Sequence, residues 1–455
     1  MALEVEGKRV TVVGLGRSGA AAARLLAARR AKVRITDRRS EGELKETVAS
    51  LRDCSIRYAL GGHPDKTFHD ADLIVVSPGV AVEGIEPLRT ARERGIPVIG
   101  EVELAFSFVN APVAAITGSN GKSTTTALTG EILRAAGRRV FIGGNLGRPL
   151  CEAAMEEDGW DWIVAELSSF QLETIRDFRP RAAALLNISP NHLDRYRTME
   201  EYRTAKMRIF ENQGAEDVAV LNADDPAVLA RAPAIRARAV CFGRAPRPQP
   251  GVYLDGDAVV AVGLTPGPGS RMEILRRGEI PLPGPHNVEN VLAAAAMGLI
   301  CGCPADTIRG AVKGFRGLEH RLEAVRTHGG ISYVNDSKAT TVEALARALE
   351  SFDRPIVLIA GGRSKGDEFA RLQGAIRRHV KAAVLLGEAG PAMRASWKDA
   401  THLKEAGGME EAVRLAGTLA APGDVVLLSP ACSSFDMFRD FEERGRRFKE
   451  LVHRL

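Results

Sequence analysis

The sequence predicts an α/β protein of three domains, each a mainly parallel sheet with flanking helices. Three observations predict it. The runs of aliphatic residues are near-continuous rather than alternating, as in strands covered on both faces. Most of these runs pass through a glycine-rich or polar turn into a helical stretch, the rhythm of βαβ units. At 455 residues the chain exceeds what one core organises, so roughly two to four domains are expected.

The first domain is expected over residues 1–108. Arg9-Val10-Thr11-Val12-Val13 reads as a strand, Gly14-Leu15-Gly16-Arg17-Ser18-Gly19 as a turn, and the alanine-rich stretch to Arg30 as a helix. Lys32–Asp37 and Asp72–Val76 are further strands, the latter leading into Ser77-Pro78-Gly79. Gly14-x-Gly16-x-x-Gly19 fits the dinucleotide fingerprint, with Asp37 placed for a ribose. Glycines serving only tight strand–helix packing fit the same residues, and both readings stay open.

The second domain is expected over residues 109–317. Pro112-Val113-Ala114-Ala115-Ile116 reads as a strand running into Thr117-Gly118-Ser119-Asn120-Gly121-Lys122-Ser123-Thr124. Strand, glycine-rich turn and a helix starting at the lysine form a phosphate cradle: backbone N–H groups line the loop and the helix N-terminus adds positive potential. Lys122 suits the terminal phosphates, and the hydroxyl of Ser123 or Thr124 suits Mg²⁺. The pattern is shorter than G-x-x-x-x-G-K-[ST], because Ile116 stands where its first glycine would be. ATP or GTP is the expected ligand.

Further strands are expected near 162–165, 182–186 and 218–221. Glu166 ends the first of them, where a carboxylate beside a phosphate loop commonly holds Mg²⁺; a salt-bridge role is the alternative. His192, in Asn187-Ile188-Ser189-Pro190-Asn191-His192, reads as a second cation ligand, a phosphate contact, or a packed or surface histidine. Lys206, by pattern alone, is an exposed helix lysine. Residues 244–285, rich in proline and glycine, read as a small antiparallel insertion, and Asn287–Ile300 as a helix.

The third domain is expected over residues 318–455, with strands near 331–334, 355–359, 383–386 and 425–428. Three polar loops follow three of these strands: Asn335-Asp336-Ser337-Lys338-Ala339-Thr340, Gly361-Gly362-Arg363-Ser364-Lys365, and Ser429-Pro430-Ala431-Cys432-Ser433-Ser434-Phe435. Their convergence on one sheet edge suits an anionic small molecule such as an amino acid carboxylate. The basic end, Arg444-Gly445-Arg446-Arg447-Phe448-Lys449, reads as the solvated face of a last helix. Three such units in series suggest a substrate bound at clefts between domains.

A net charge of +5, with charged residues at 26% and mixed in sign, gives no argument for nucleic acid or membrane as a partner, and neither is expected. The six cysteines show no CxxC pair and suit a reducing compartment. Cys301-Gly302-Cys303 reads as core packing. The uncharged run Val291–Cys303 falls short of the ~20 residues that span a bilayer. A cytoplasmic location and a monomer are expected.

Taken together, these motifs resemble the Mur ligase family. Thr117–Thr124 resembles that family's short phosphate loop. Glu-Leu-Ser-Ser-Phe-Gln-Leu-Glu at 166–173, Asn-Asp-Ser-Lys-Ala-Thr at 335–340 and Ser-Pro-Ala-Cys-Ser-Ser-Phe-Asp at 429–436 resemble its D-glutamate-adding branch. The resemblance implies Rossmann-like first and last domains around a P-loop-type central ATPase domain. It implies an ATP-dependent amide ligase of peptidoglycan precursor synthesis, which phosphorylates the L-alanine carboxylate of UDP-N-acetylmuramoyl-L-alanine. The amine of D-glutamate then attacks the acyl phosphate, with ADP and phosphate released.

By matching position, the resemblance implies that Gly118, Asn120, Gly121, Lys122, Ser123, Thr124, Asn290, Arg321 and Asp336 bind ATP. Ser123, Glu166, His192 and Lys206 hold Mg²⁺, with Lys206 as a CO₂-derived carbamate. Lys122, Glu166, His192 and Lys206 form the catalytic set. Gly14, Leu15, Gly16, Arg17, Ser18, Asp37, Ser77 and Asn145 take the uridine substrate, in place of NAD. Thr340, Lys365, Ser434, Phe435 and Phe441 take D-glutamate. Two departures are noted: Thr341 replaces a frequent asparagine, and Arg38-Arg39 follows Asp37. Three other readings have their own tests: a sibling ligase by amino acid choice, a nicotinamide dehydrogenase by NAD(H) binding, and a P-loop switch by nucleotide hydrolysis alone.

Overall fold

The computed structural model describes residues 3–156, 159–190, 195–264, 269–364, 366 and 368–455. The chain divides into two compact units, Met1–Glu279 with Glu289–Lys313, and Ile280–Val288 with Gly314–Leu455. The first unit carries two sheets and the second unit one.

The first sheet is all parallel, in the order Ile56–Leu60, Lys32–Asp37, Arg9–Val13, Leu73–Val76, Val98–Gly100. Chain order reverses between Arg9–Val13 and Leu73–Val76. Connections on either side of such a point leave in opposite directions, so a crevice opens at the strand carboxyl ends. The helix Arg17–Ala28 covers this sheet with Gly19, Ala20–Ala23, Leu25 and Leu26. A Cβ on Gly19 would collide with the carbonyl oxygen of Gly14, so the third glycine of the turn is what lets helix and strand approach.

The second sheet has nine strands, in the order Arg271–Arg276, Ala258–Val262, Gly251–Asp255, Arg238–Gly243, Val218–Asn222, Ala182–Leu185, Val113–Thr117, Trp162–Glu166, Val140–Gly144. Its last three strands in sequence pair antiparallel. The antiparallel stretch expected at 244–285 is therefore an extension of this sheet, joined to it where Cys241–Gly243 pairs in parallel with Gly251–Tyr253. One apolar cluster runs from Val10 and Leu26 through Val102 and Ile163 to Leu185 and Leu221, so both sheets of the first unit share a core.

The second unit holds six strands, in the order Glu323–His328, Ile331–Asn335, Val425–Leu428, Ile356–Gly361, Val380–Leu386, His402–Glu405. Only the first pair is antiparallel. Separate apolar clusters pack its two faces, as a doubly covered sheet requires. All six cysteines are unbridged, and Cys301 and Cys303 are buried. Among the described residues no helix is long and apolar enough to cross a membrane.

Candidate active site

The crevice of the first sheet is a cleft of about 410 Å³. Gly14, Gly16, Arg17, Ser18, Asp37 and Ser77 line it from the first sheet, and Asn145 from the second. Leu15 does not line it, since its side chain is in the core. The N–H of Leu15 donates to Asp37 Oδ2 at 2.7 Å, and Ser77 Oγ donates to Gly14 O at 2.7 Å. Asp37 also accepts from the backbone N–H of Arg39 at 2.8 Å and from its guanidinium. Burial would raise the Asp37 carboxyl, but these bonds outweigh it and hold the group at about 2. It is a fixed anion at the cleft wall. Arg39, part of the departure after Asp37, faces the same cleft.

The phosphate loop sits between two strands that arm it. Val113–Thr117 pairs with Trp162–Glu166 on one side, bringing Ile116 opposite Glu166, and with Ala182–Leu185 on the other. Asn187, just past the second neighbour, holds the loop: its carbonyl accepts from Ser119 N–H and its Oδ1 from Asn120 N–H, both at 2.9 Å. Gly121 caps the helix Lys122–Ala135 at φ 82°, a left-handed turn that suits glycine. A Cβ there would collide with Asn290 Oδ1, so Asn290 lies against the loop. Ser123 is buried and Thr124 half-buried at the helix start.

Lys206 departs from expectation. It is 1% exposed, not a solvated helix lysine. The helix Met199–Met207 buries Tyr202, Ala205 and Lys206, one face at i, i+3 and i+4. Lys206 Nζ donates to Gly118 O at 2.8 Å. Lys122 Nζ donates to the same oxygen at 2.9 Å and to Ser119 O at 3.0 Å. Burial first, then the charge of Lys122, push the Lys206 amine well below the usual lysine range, with Glu166 opposing. Two amines thus converge on one carbonyl, and the more buried one is held toward its neutral, nucleophilic form.

Glu166 is 2% exposed. Its Oε1 accepts from Asn145 Nδ2 at 2.6 Å, while Oε2 is buried with no hydrogen-bond partner among the described residues. An orphaned carboxylate oxygen is costly, and beside a phosphate loop it fits a hard, oxygen-seeking cation. The buried Ser123 hydroxyl fits the same ion. His192 lies outside the described residues.

In the second unit the three polar loops follow Asn335, Gly361 and Leu428, which stand at the carboxyl ends of adjacent strands. Asp336 accepts from Ser429 Oγ at 2.9 Å and from Leu322 N–H at 3.2 Å. Burial raises its carboxyl to about 7, against these bonds and the charge of Arg321. Lys338 Nζ lies 5.0 Å from the centre of the Phe441 ring. Thr340 is half-buried and Ser434 buried, whereas Phe435 is 63% exposed. Lys365 lies outside the described residues. Thr341 explains its own departure: its hydroxyl accepts from Ala344 N–H and caps the helix Val342–Leu349, work that asparagine does equally well.

The basic end also departs from expectation. Phe441–His453 is a helix, but Arg444 and Phe448 are buried in it. Sequence reasoning missed Arg444, and Tyr202, whose hydroxyl lies 3.1 Å from Ser119 Oγ. The available signal was spacing: Tyr202 with Lys206, and Phe441 with Arg444 and Phe448, each share a helix face.

Three family models match the chain: Mur ligase MurD-like, N-terminal domain, over residues 8–100; Mur ligase middle domain, over 116–298; and Mur ligase, glutamate ligase domain, over 320–432. A UDP-N-acetylmuramoylalanine--D-glutamate ligase of Geotalea uraniireducens (strain Rf4) is 47% identical over 453 residues, 100% of this chain and 99% of the relative. A protein of the same name from Koribacter versatilis (strain Ellin345) is 45% identical over 453 residues, again 100% of this chain and 99% of the relative. Among solved structures, a pseudomurein peptide ligase type C from Methanothermus fervidus superposes with a TM-score of 0.61 at 20% identity, covering 98% of this chain and 99% of that one. The MurF ligase of Thermotoga maritima, solved with ADP, gives 0.60 at 16% identity, covering 93% and 95%. These two likenesses establish the fold.

Proposed function

The chain belongs to the Mur ligase family, and from that premise we propose that it joins D-glutamate to UDP-N-acetylmuramoyl-L-alanine, converting ATP to ADP and phosphate. The choice of substrates is supported by full-length likeness to relatives of that name. The observation that carries the ligase chemistry is the floor of the phosphate loop, where one buried carboxylate oxygen of Glu166 has no partner among the described residues, beside Lys122 and the buried Lys206. We assign residues 1–108 to the uridine substrate, 109–317 to ATP and 318–455 to the amino acid, in a cytoplasmic enzyme.

A carboxylate is a poor electrophile, so the L-alanine carboxylate must first take the terminal phosphoryl group of ATP. The task of the protein is to bring two anions together and hold the charge that crowds there. The N–H groups of Gly118–Thr124 and the Lys122 ammonium bind the phosphates. Ser123, Glu166, His192 and Lys206 would hold Mg²⁺, which supplies charge neutralisation at the transferring phosphoryl group. Asn145 fixes Glu166 through its amide and, from the cleft wall, orients the acyl end of the uridine substrate. Asn290, Arg321 and Asp336 are assigned to ATP binding. Thr340, Lys365, Ser434, Phe435 and Phe441 orient D-glutamate. Its amine attacks the acyl carbon, a C–N bond forms, the C–O bond to phosphate breaks, and the amine proton leaves to solvent or to phosphate.

Lys206 is the residue whose role needs its environment. A neutral amine attacks CO₂ and loses a proton to give a carbamate, turning a buried base into an oxygen ligand. The depressed amine of Lys206 supports this, since an ordinary lysine is protonated and unreactive at neutral pH. Labelled bicarbonate should give one carbamate carbon resonance, lost in Lys206→Met.

The deciding experiment is phosphate release with ATP, Mg²⁺ and UDP-N-acetylmuramoyl-L-alanine, with D-glutamate, L-glutamate or other amino acids added in turn. Turnover with D-glutamate alone is expected. Turnover without the uridine substrate, or none with any amino acid, would sink the proposal.

A further inference from the structure

Arg444 is 2% exposed, yet its hydrogen bonds go to neutral oxygens. Nε donates to Ser337 Oγ at 2.9 Å and Nη2 to Ser337 O at 2.8 Å. Nη1 and Nη2 both donate to Cys432 O at 3.1 Å. Ser337 belongs to the loop after Asn335, and Cys432 to the loop after Leu428. The third loop closes on the same group: a Cβ on Gly362 would stand 3.2 Å from Arg444 Nη1, so Gly362 lets that backbone lie against the guanidinium. The second and third loops are also tied directly, by Arg363 N–H to Ser433 O at 2.9 Å and Ser433 N–H to Arg363 O at 3.1 Å. Ser337 Oγ in turn donates to Phe441 O at 2.8 Å, fastening the first loop to the helix that bears Arg444.

We propose that Arg444 is a positioning residue for the amino-acid subsite, one buried guanidinium that fixes the three loops around an anionic amino acid. The proposal rests on the reading of these loops as the D-glutamate side. A planar fork with five donors reaches two loops at once and packs flat under a third; a lysine has one nitrogen and cannot span them. Its charge matters as well as its reach. Among the described residues no carboxylate hydrogen-bonds to it, although the charge of Asp436 acts on it.

The test uses full-length wild type, Arg444→Lys, Arg444→Met and Arg446→Lys, the last an exposed arginine on the same helix. D-glutamate is titrated at saturating ATP and uridine substrate, and binding of UDP-N-acetylmuramoyl-L-alanine is measured separately by calorimetry. For Arg444→Lys the KM for D-glutamate should rise about tenfold or more, while kcat falls less than about threefold and the uridine-substrate Kd stays within about twofold. Arg446→Lys should behave as wild type. An unchanged KM for D-glutamate in Arg444→Lys would overturn the proposal and leave the ligase reading standing. Equal losses in D-glutamate KM and in uridine-substrate binding would reduce Arg444 to a folding residue and overturn it too. If wild type fails to turn over D-glutamate, the ligase reading falls, and the proposal with it. Should Arg444→Met fail to fold, Arg444→Lys still decides.

Discussion

Lys206 and Arg444 are two basic side chains in different parts of the molecule, both almost wholly buried, at 1% and 2% exposure, but in different electrostatic surroundings. Lys206 donates to one carbonyl, Gly118 O, which Lys122 also uses. Arg444 makes four hydrogen bonds to three oxygens. Burial lowers both. The lysine, with a second cation beside it, goes well below its ordinary range, while the arginine falls only to about 10 and stays charged at neutral pH. Burial alone does not set the charge of a base. The ordinary value of the base and the sign of the charges near it matter as well. The phosphate-loop region displaces its buried amine toward the neutral form, and the loops of the second unit surround a guanidinium that keeps its charge at neutral pH.

The largest expected effect comes from forbidding the lysine to lose its proton. Lys206→Arg keeps positive charge at the loop, and turnover should fall on the order of 10³-fold, read by phosphate release. A variant within tenfold of wild type would break the contrast, because a permanent cation would then serve at the place of the neutral amine. A second effect concerns Asp336. Its folded carboxyl is raised to about 7, so the folded state binds its proton more tightly than the unfolded chain. That stability is fully present below the ordinary aspartate range and is lost as pH rises through about 7. Asp336→Asn should remove a slope on the order of 1–3 kcal/mol between about pH 4 and pH 7, seen by melting across that window. An unchanged slope would show that the carboxyl is solvated in solution.

Much of the fold was legible because it is written locally. The phosphate loop needs only an apolar run, two glycines and a lysine, and the strand Val113–Thr117 and helix Lys122–Ala135 lie where those residues place them. The strands Lys32–Asp37 and Val425–Leu428 match their expected bounds for the same reason. Ile56–Leu60 and Val140–Gly144 were not anticipated. Both are edge strands, and the half-exposed Ile56–Leu60 lacks the unbroken apolar run that marks a central one. The motifs that line the cleft and the loop could be named from spacing. The burial of Lys206 and Arg444 could not, because each depends on a loop more than 80 residues away in sequence. A charged residue in an amphipathic helix looks alike whether its face meets solvent or a distant carbonyl.

Stability should separate the same two residues with a smaller effect. The folded Lys206 amine binds its proton less tightly than the unfolded chain, so wild-type stability rises with pH up to the ordinary lysine range. Lys206→Met fills similar volume without that cost and should melt at or above wild type near pH 7, by up to about 2 kcal/mol, with the gap narrowing as pH rises. Arg444→Met removes the guanidinium donors to the Ser337 and Cys432 carbonyls and should lose about 1–3 kcal/mol. If both variants lost stability equally, the lysine would be a structural anchor like the arginine.

The smallest effect tests whether the second unit's loops owe their order to Arg444 or to their own helix caps. Thr341 follows the loop that carries Asp336 and Thr340, and its hydroxyl caps the next helix through Ala344 N–H at 3.2 Å. Asparagine and threonine accept that bond about equally, so Thr341→Asn should shift stability by no more than about 0.5 kcal/mol. Its D-glutamate KM should then equal that of wild type, while Thr341→Ala loses the cap and about 1 kcal/mol without a comparable change in KM. A KM that tracked the cap instead would move the organising role from the buried guanidinium to the helix N-terminus. The guanidinium reaches all three loops and the cap only one, so the KM is expected to follow Arg444.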